Sequence, residues 1–264
     1  MTAPGLDVGR DGPVLRLTLD RPERRNALDD ATVAGLIDEL ERANQDEGVR
    51  AVLLTSRGDD FCVGFDLATR ADGTGRPRVG SIQRRLPAQA HRLIAVACSI
   101  QVPVVAAVRG WAAGIGLHLA VAADFCVAAR DARFWEPFLA RGFTPDSGGT
   151  WLLPRLVGVA RAKELLLLGR ELVGADAADW GLIHAAVDPA GVDDEAERLA
   201  AQLAAGPTVA LGLTRWLVHT GAGLDLERHL ANEALALELA ARSADFREGL
   251  AARRERREPG FEGR

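Results

Sequence analysis

Apolar and polar positions alternate through residues 13–20, PVLRLTLD, the period of a strand with one buried face, and Arg21-Pro22 ends the run. From Asp29 to Ala43 the apolar residues Val33, Leu36, Ile37 and Leu40 repeat at helical spacing behind Asp29 and Asp30, which serve as N-caps. Residues 49–55, VRAVLLT, predict a second strand, stopped by SRGDD. The Gly/Pro/Arg-rich segment 70–80 reads as a mobile loop, followed by a helix from about Ser81 to Ile100. Pro103 opens VPVVAAV, whose unbroken apolar character suits a strand buried on both faces. DFCVAA (124–129) predicts another strand and ARFWEP (132–137) one more, whereas LLPRLVG, KELLLLG and the amphipathic segments 192–205, 207–219 and 225–253 predict helices. Strands alternate with helices to about residue 140 and helices dominate beyond it. The pattern is a crossover α/β core with a helical C-terminal part.

Composition narrows the class. The chain has 264 residues, 48 % hydrophobic and 26 % charged, enough to fill a sizeable core. A net charge of -5 argues against a nucleic-acid partner held by phosphate neutralisation. Cys62, Cys98 and Cys126 lie far apart in apolar sequence, which predicts buried, reduced thiols and neither a disulfide framework nor a metal site. The opening MTAPGLDVGRDG has no secretory pattern, and no apolar run reaches the roughly 18–20 residues that span a bilayer. A cytoplasmic protein without a membrane partner is expected.

Three stretches carry candidate chemistry. Phe61–Leu67 and Gly110–Gly116 are glycine-containing turns that each follow a strand. A strand running through such a turn into a helix presents backbone N–H groups at the positive end of the helix dipole, which favours a developing oxyanion. The Gly114-Ile115-Gly116 pair fails as a dinucleotide fingerprint, because position 119 is leucine and no ribose-binding acid follows. The third stretch, Gly142–Trp151, sets Asp146 before a glycine-rich helix start. Ser147 with His118 and Asp146 suggests a nucleophile triad, but no G-x-S-x-G elbow is present.

Taken in order, RPERRNAL (21–28), FCVGFDL (61–67), GWAAGIGLHLAVAADF (110–125) and GFTPDSGGTWLLPRLVG (142–158) resemble the crotonase, or enoyl-CoA hydratase/isomerase, superfamily, and Glu258-Pro259-Gly260-Phe261 resembles that family's ending. The resemblance covers essentially the whole chain. It implies a crotonase-like spiral of ββα units, with an α/β core over 1–195 and a helical trimerisation region over 196–264, assembled as a homotrimer or a hexamer. The implied substrate is an acyl-CoA thioester, with coenzyme A present only as part of it and no separate cofactor or metal.

The resemblance further implies an oxyanion hole made by the backbone N–H groups of Phe65 and Ile115. The family more often has small residues there, so a reshaped acyl pocket is expected. Coenzyme A is expected against Arg24, Arg25 and Ala27, against Val63, Gly64, Asp66 and Leu67, against Gly114, Pro137 and Phe138, and against Phe261 with nearby arginines of the same or a neighbouring subunit. Classical hydratases of the family carry two glutamates, and here His118 and Phe138 stand in their places. Phe138 cannot move a proton, so the hydration pair is absent. Asp146 replaces it, at a position where the double-bond isomerases of the family carry aspartate, and PDSGG looks most like the epoxyphenylacetyl-CoA isomerase group. The expectation is double-bond isomerisation with Asp146 as acid/base, His118 as a second proton carrier and His91 at the pocket. The alternatives are a hydratase using His118 and Asp146 on water, a CoA-thioester dehalogenase or hydrolase, and a non-catalytic acyl-CoA-binding relative.

Overall fold

In the computed structural model, which describes residues 3–66 and 78–264, a six-stranded sheet runs in the order β1-β2-β3-β4-β6-β9. Its strands are β1 (Leu6–Asp11), β2 (Val14–Leu19), β3 (Ala51–Ser56), β4 (Val104–Val108), β6 (Phe125–Ala129) and β9 (Ala185–Val187). Every pairing is parallel except β1 with β2, so the strands from β2 onward share one carboxyl end. A smaller sheet joins β5 (Trp111–Ala113), β7 (Arg133–Trp135) and β8 (Leu172–Val173). Strands β2, β3, β4, β6 and β7 fall where the apolar pattern places them. The edge strand β1 escaped that pattern because only Leu6 of its six residues is buried; it is fixed by the turn at Gly12, where φ is 52°.

The helices are α1 (Asp30–Ala43), α2 (Ser81–Arg85), α3 (Ala90–Ser99), α4 (Ile115–Ala122), α5 (Gly149–Leu168), α6 (Gly174–Asp179), α7 (Val192–Ala204), α8 (Thr208–Gly221), α9 (Leu226–Ala240) and α10 (Ala244–Glu255). Asp29 caps α1 as expected, accepting a hydrogen bond from the Thr32 N–H. The helix expected over 81–100 is instead two, because Pro87 has no N–H to give and forces a 3-10 turn at Leu86–Ala88. The helix over 225–253 is likewise two, since the Ser243 side chain caps a new start at the Phe246 N–H. Gly158 breaks α5 with φ 77° and ψ 162°. Of the loop expected over 70–80, residues 70–77 lie outside the described residues.

All eight residues of α4 are buried, which is how a helix apolar on every side must sit. Helix α7 lies across β3, β4 and β6 with Ala196, Leu199 and Ala200 buried. The boundary expected at 195/196 therefore cuts through a helix that belongs to the core, and the helical appendage begins after Ala204. Helices α8 to α10 and the C-terminal tail gather at the amino ends of the strands. There Arg215 of α8 pairs with Asp124 at 2.7 Å, and Arg50 binds Thr208 and the carbonyls of Gly206 and Phe261. Among the described residues no helix is long and apolar enough to cross a membrane.

Candidate active site

The carboxyl ends of β2, β3 and β4 carry three consecutive turns, the usual place for a ligand in a parallel sheet. The first, Arg21–Leu28, is held by Asn26. Its amide donates to the carbonyls of Arg57 and Asp60, and its Oδ1 accepts from the Arg21 N–H. Arg21 in turn donates to the Ala27 carbonyl at 2.6 Å and to Asp66 at 3.0 Å. Asp66, expected in the turn that meets coenzyme A, is buried, and its carboxylate accepts from Arg21. It ties the first turn to the second. The Val63 N–H donates to the Arg25 carbonyl, so Arg24, Arg25 and Ala27 form one wall with Val63 and Gly64. Asp60 fixes the Arg25 side chain at 2.6 Å and, through that hydrogen bond, raises the pKa of its guanidinium. Arg24 is exposed. Leu67 lies outside the described residues.

The second and third turns are stitched to each other. Cys62 N–H donates to the Trp111 carbonyl and Ala113 N–H to the Cys62 carbonyl, both at 2.9 Å. A side chain at Gly116 would stand 2.3 Å from the Cys62 carbonyl oxygen, so glycine alone allows this approach. Gly64, with φ 106°, leads into Phe65, which forms a parallel bridge with Leu28 through the atoms of its neighbours. That bridge turns the Phe65 N–H away from Leu28. Gly114, with φ 54° and ψ −125°, delivers Ile115 as the first residue of α4, where a backbone N–H has no acceptor within the helix. Pro137 and Phe138 pack directly over Gly114. Burial pushes the nearby Cys62 thiol up to about 12 and keeps it protonated. Cys126 is equally buried, whereas Cys98 is only half-buried, a partial correction to the expectation for the three thiols.

Asp146 is half-buried and lines a cavity of about 620 Å³ with Ile82, Arg85, Gln89, His91 and Phe143 among its walls. The structure therefore brings Asp146 and His91 to one cleft. It does not bring His118 there. That imidazole is 0 % exposed, with Nδ1 2.7 Å from Ser147 Oγ and Nε2 2.7 Å from Glu136 Oε1. Its ring lies against Phe138, and a side chain at Gly149 would overlap Nε2 at 2.1 Å. His118 as a direct proton carrier is corrected on these grounds: buried on an all-apolar helix, it reaches the cleft only through Ser147. Among the described residues no cluster of three or more His, Cys, Asp or Glu could hold a metal ion.

Phe261 is placed far from this site in its own chain. It stacks near Gly249 of α10, and its carbonyl accepts from Arg50 at the amino ends of the strands, opposite to Arg24 and Arg25. One chain cannot bring these residues together, which corrects the same-subunit form of that expectation.

The family model described as enoyl-CoA hydratase/isomerase matches residues 9–264. The chain belongs to the enoyl-CoA hydratase/isomerase family. The 1,2-epoxyphenylacetyl-CoA isomerase of Escherichia coli strain K12 is 42 % identical to it over 254 residues, covering 95 % of each chain. The crotonyl-CoA hydratase of Syntrophomonas wolfei is 31 % identical over 246 residues, covering 93 % of each. Among solved structures, the enoyl-CoA hydratase of Bacillus anthracis matches with a TM-score of 0.92 at 30 % identity, over 98 % of this chain and 100 % of that one.

As a member of the hydratase/isomerase family the protein is an enzyme acting on acyl-CoA, built on the fold that the resemblance implied. Sequence reasoning missed three of its site residues. Asn26 is buried, at φ 55°, inside RRNAL, and a buried asparagine in a positive-φ turn is a signal that motif could have raised. Arg21 was taken only as a strand stop. Glu136 gave no signal, because nothing in FWEP says that its side chain turns inward to His118.

Proposed function

We propose that this enzyme isomerises an enoyl-CoA thioester by moving one proton between carbons of the acyl chain through Asp146. The observation that carries the reading is that Asp146 is the one carboxylate among the described residues lining the cleft, while Phe138 is buried where hydration chemistry needs a second proton-carrying group. The Asp146 carboxylate takes a proton from C2 of a 3-enoyl-CoA. The C2–H electron pair enters a dienolate whose charge gathers on the thioester oxygen. The same proton then returns from Asp146 to C4, leaving the conjugated 2-enoyl thioester. The turns at Phe65 and Ile115 favour this path by directing backbone N–H dipoles at that oxygen. Similarity to the Escherichia coli isomerase points the same way.

The test is incubation with 3-hexenoyl-CoA and, separately, with crotonyl-CoA. Isomerisation appears as new conjugated enoyl absorbance from the first, and hydration as its loss from the second. Replacing Asp146 by Asn should abolish the first reaction and the transfer of a deuterium label from C2 to C4. Full activity in that variant overturns the reading. Hydration of crotonyl-CoA as the faster reaction favours a hydratase.

We also propose that the working form is a homotrimer or hexamer. Within one chain Phe261 sits at the end of the sheet opposite Arg24 and Arg25, so a coenzyme A site shared by the three needs a second copy, and α9 leaves Leu226, Leu230, Leu235, Leu237 and Leu239 exposed.

A further inference from the structure

Four polar side chains meet beneath the cleft: Glu136, His118, Ser147 and Asp146. The first three are 1 %, 0 % and 0 % exposed, and only Asp146 reaches the open side. Oxygen and nitrogen contacts run unbroken along them, at 2.7 Å, 2.7 Å and 3.2 Å. We propose that Glu136, His118 and Ser147 form a positioning relay that holds the Ser147 hydroxyl donating to Asp146, keeping that carboxylate oriented and ready to accept the substrate proton. The proposal rests on Asp146 being the acid/base.

Hydrogen-bond accounting gives the direction. A serine hydroxyl has one proton, and a carboxylate only accepts. With Asp146 as the base, the Ser147 hydroxyl donates to Asp146 Oδ1. Ser147 Oγ must then accept from His118 Nδ1–H, because a bare Nδ1 would compete for the same proton. Glu136 Oε1 lies 2.7 Å from Nε2, and one further proton shared between these two atoms closes the chain. Its second oxygen is buried with no hydrogen-bond partner, so among the described residues the imidazole is this carboxyl group's polar contact. Phe138 and Gly149 clamp the ring plane, so the imidazole cannot turn away.

The arrangement has a consequence for turnover. When the substrate C–H proton moves to Asp146 Oδ2, Oδ1 still accepts from Ser147, but as the oxygen of a neutral acid it holds that hydrogen bond less strongly. The hydroxyl cannot turn toward His118 while Nδ1 keeps its own proton. The charge assistance to that hydrogen bond is lost until Asp146 gives the proton back, now to the other carbon. The relay keeps its protons throughout, and the substrate proton is the only one transferred.

The experiment uses the full-length enzyme and Ser147→Ala, with Asp146→Asn and the double variant, assayed on 3-hexenoyl-CoA with kcat and KM separated. Losing a hydrogen bond to a charged group should lower kcat roughly 10- to 100-fold in Ser147→Ala with little change in KM. The double variant should be no slower than Asp146→Asn alone, because Ser147 acts through Asp146. Unchanged kcat in Ser147→Ala beside an inactive Asp146→Asn overturns the relay and leaves Asp146 as the base. Full activity in Asp146→Asn overturns both. A second readout needs no substrate: the 15N–1H imidazole spectrum of the wild-type enzyme should show His118 protonated at Nδ1, with that signal displaced in Ser147→Ala. A bare Nδ1 in the wild type overturns the relay. Should Ser147→Ala fail to fold, Glu136→Gln, which keeps the shape, is read the same way for kcat against KM.

Discussion

Phe138 lies flat on His118, with ring centroids 5.8 Å apart and planes within 8° of each other. Phe143 meets the same phenyl ring edge-on at 5.5 Å, so Phe138 joins the buried imidazole to the loop that carries Asp146. The position where the sequence resemblance implied a hydratase glutamate is here an aromatic wall. Its chemistry is packing. Replacing Phe138 by Ala should therefore cost about 3–5 kcal/mol of stability, as other buried phenylalanines do, which urea unfolding will measure. An unchanged midpoint would show that the ring bears no packing load.

Gly116 sets the spacing between the two turns that carry Phe65 and Ile115. An Ala side chain there meets the Cys62 backbone oxygen, which cannot swing aside as a flexible side chain would. Overpacking of this kind costs about 1–3 kcal/mol. Gly116→Ala should melt at a lower temperature and turn over substrate more slowly, because the donors of both turns move apart. A variant with lower melting temperature but wild-type kcat would separate the packing from the catalytic geometry.

The Arg215–Asp124 pair governs acid stability. Burial works to raise the Asp124 carboxyl, but His219, Arg215 and the Val104 N–H outweigh it and hold the group below the ordinary carboxylate range. A pKa lowered by folding contributes stability that is present above the unfolded value and lost as pH falls through the folded one. Asp124→Asn should thus destabilise the enzyme by about 3–5 kcal/mol at neutral pH, the cost of stranding a buried Arg215. The difference from wild type should shrink as the pH drops below the ordinary carboxylate range. Denaturant melts at a series of pH values check this, and a pH-independent difference contradicts it.

Assembly should be visible in solution. Light scattering should give a mass three or six times the 28.1 kDa chain. Phe261→Ala should leave that mass unchanged and weaken acyl-CoA binding. A strictly monomeric enzyme that binds acyl-CoA as tightly without Phe261 would contradict both the assembly and the shared site.

Local sequence was enough for much of the fold. The alternation in PVLRLTLD, the continuous apolar run VPVVAAV and the Asp29 cap each state their structure through near neighbours, and the strands and helix form there. The glycines at 64, 114 and 116 and Asp146 were legible for the same reason, since turn chemistry acts over a few residues. Pro87 and Ser243 were legible too, and reading past them merged four helices into two. Contacts between distant residues were not legible. Nothing near Glu136 in the chain says that it will face His118 18 residues away, or that Ser147 will close the line to Asp146. Nothing near Asp66 says that its carboxylate will pair with Arg21, 45 residues before it. Phe261 looked like a neighbour of Arg24 until the tail folded to the other end of the sheet. Propensity and turn geometry act locally, and the sequence by itself determined those. Which buried polar groups satisfy one another depends on how the chain closes on itself, so only the tertiary structure decided that His118 lies beneath the cleft while Asp146 opens into it.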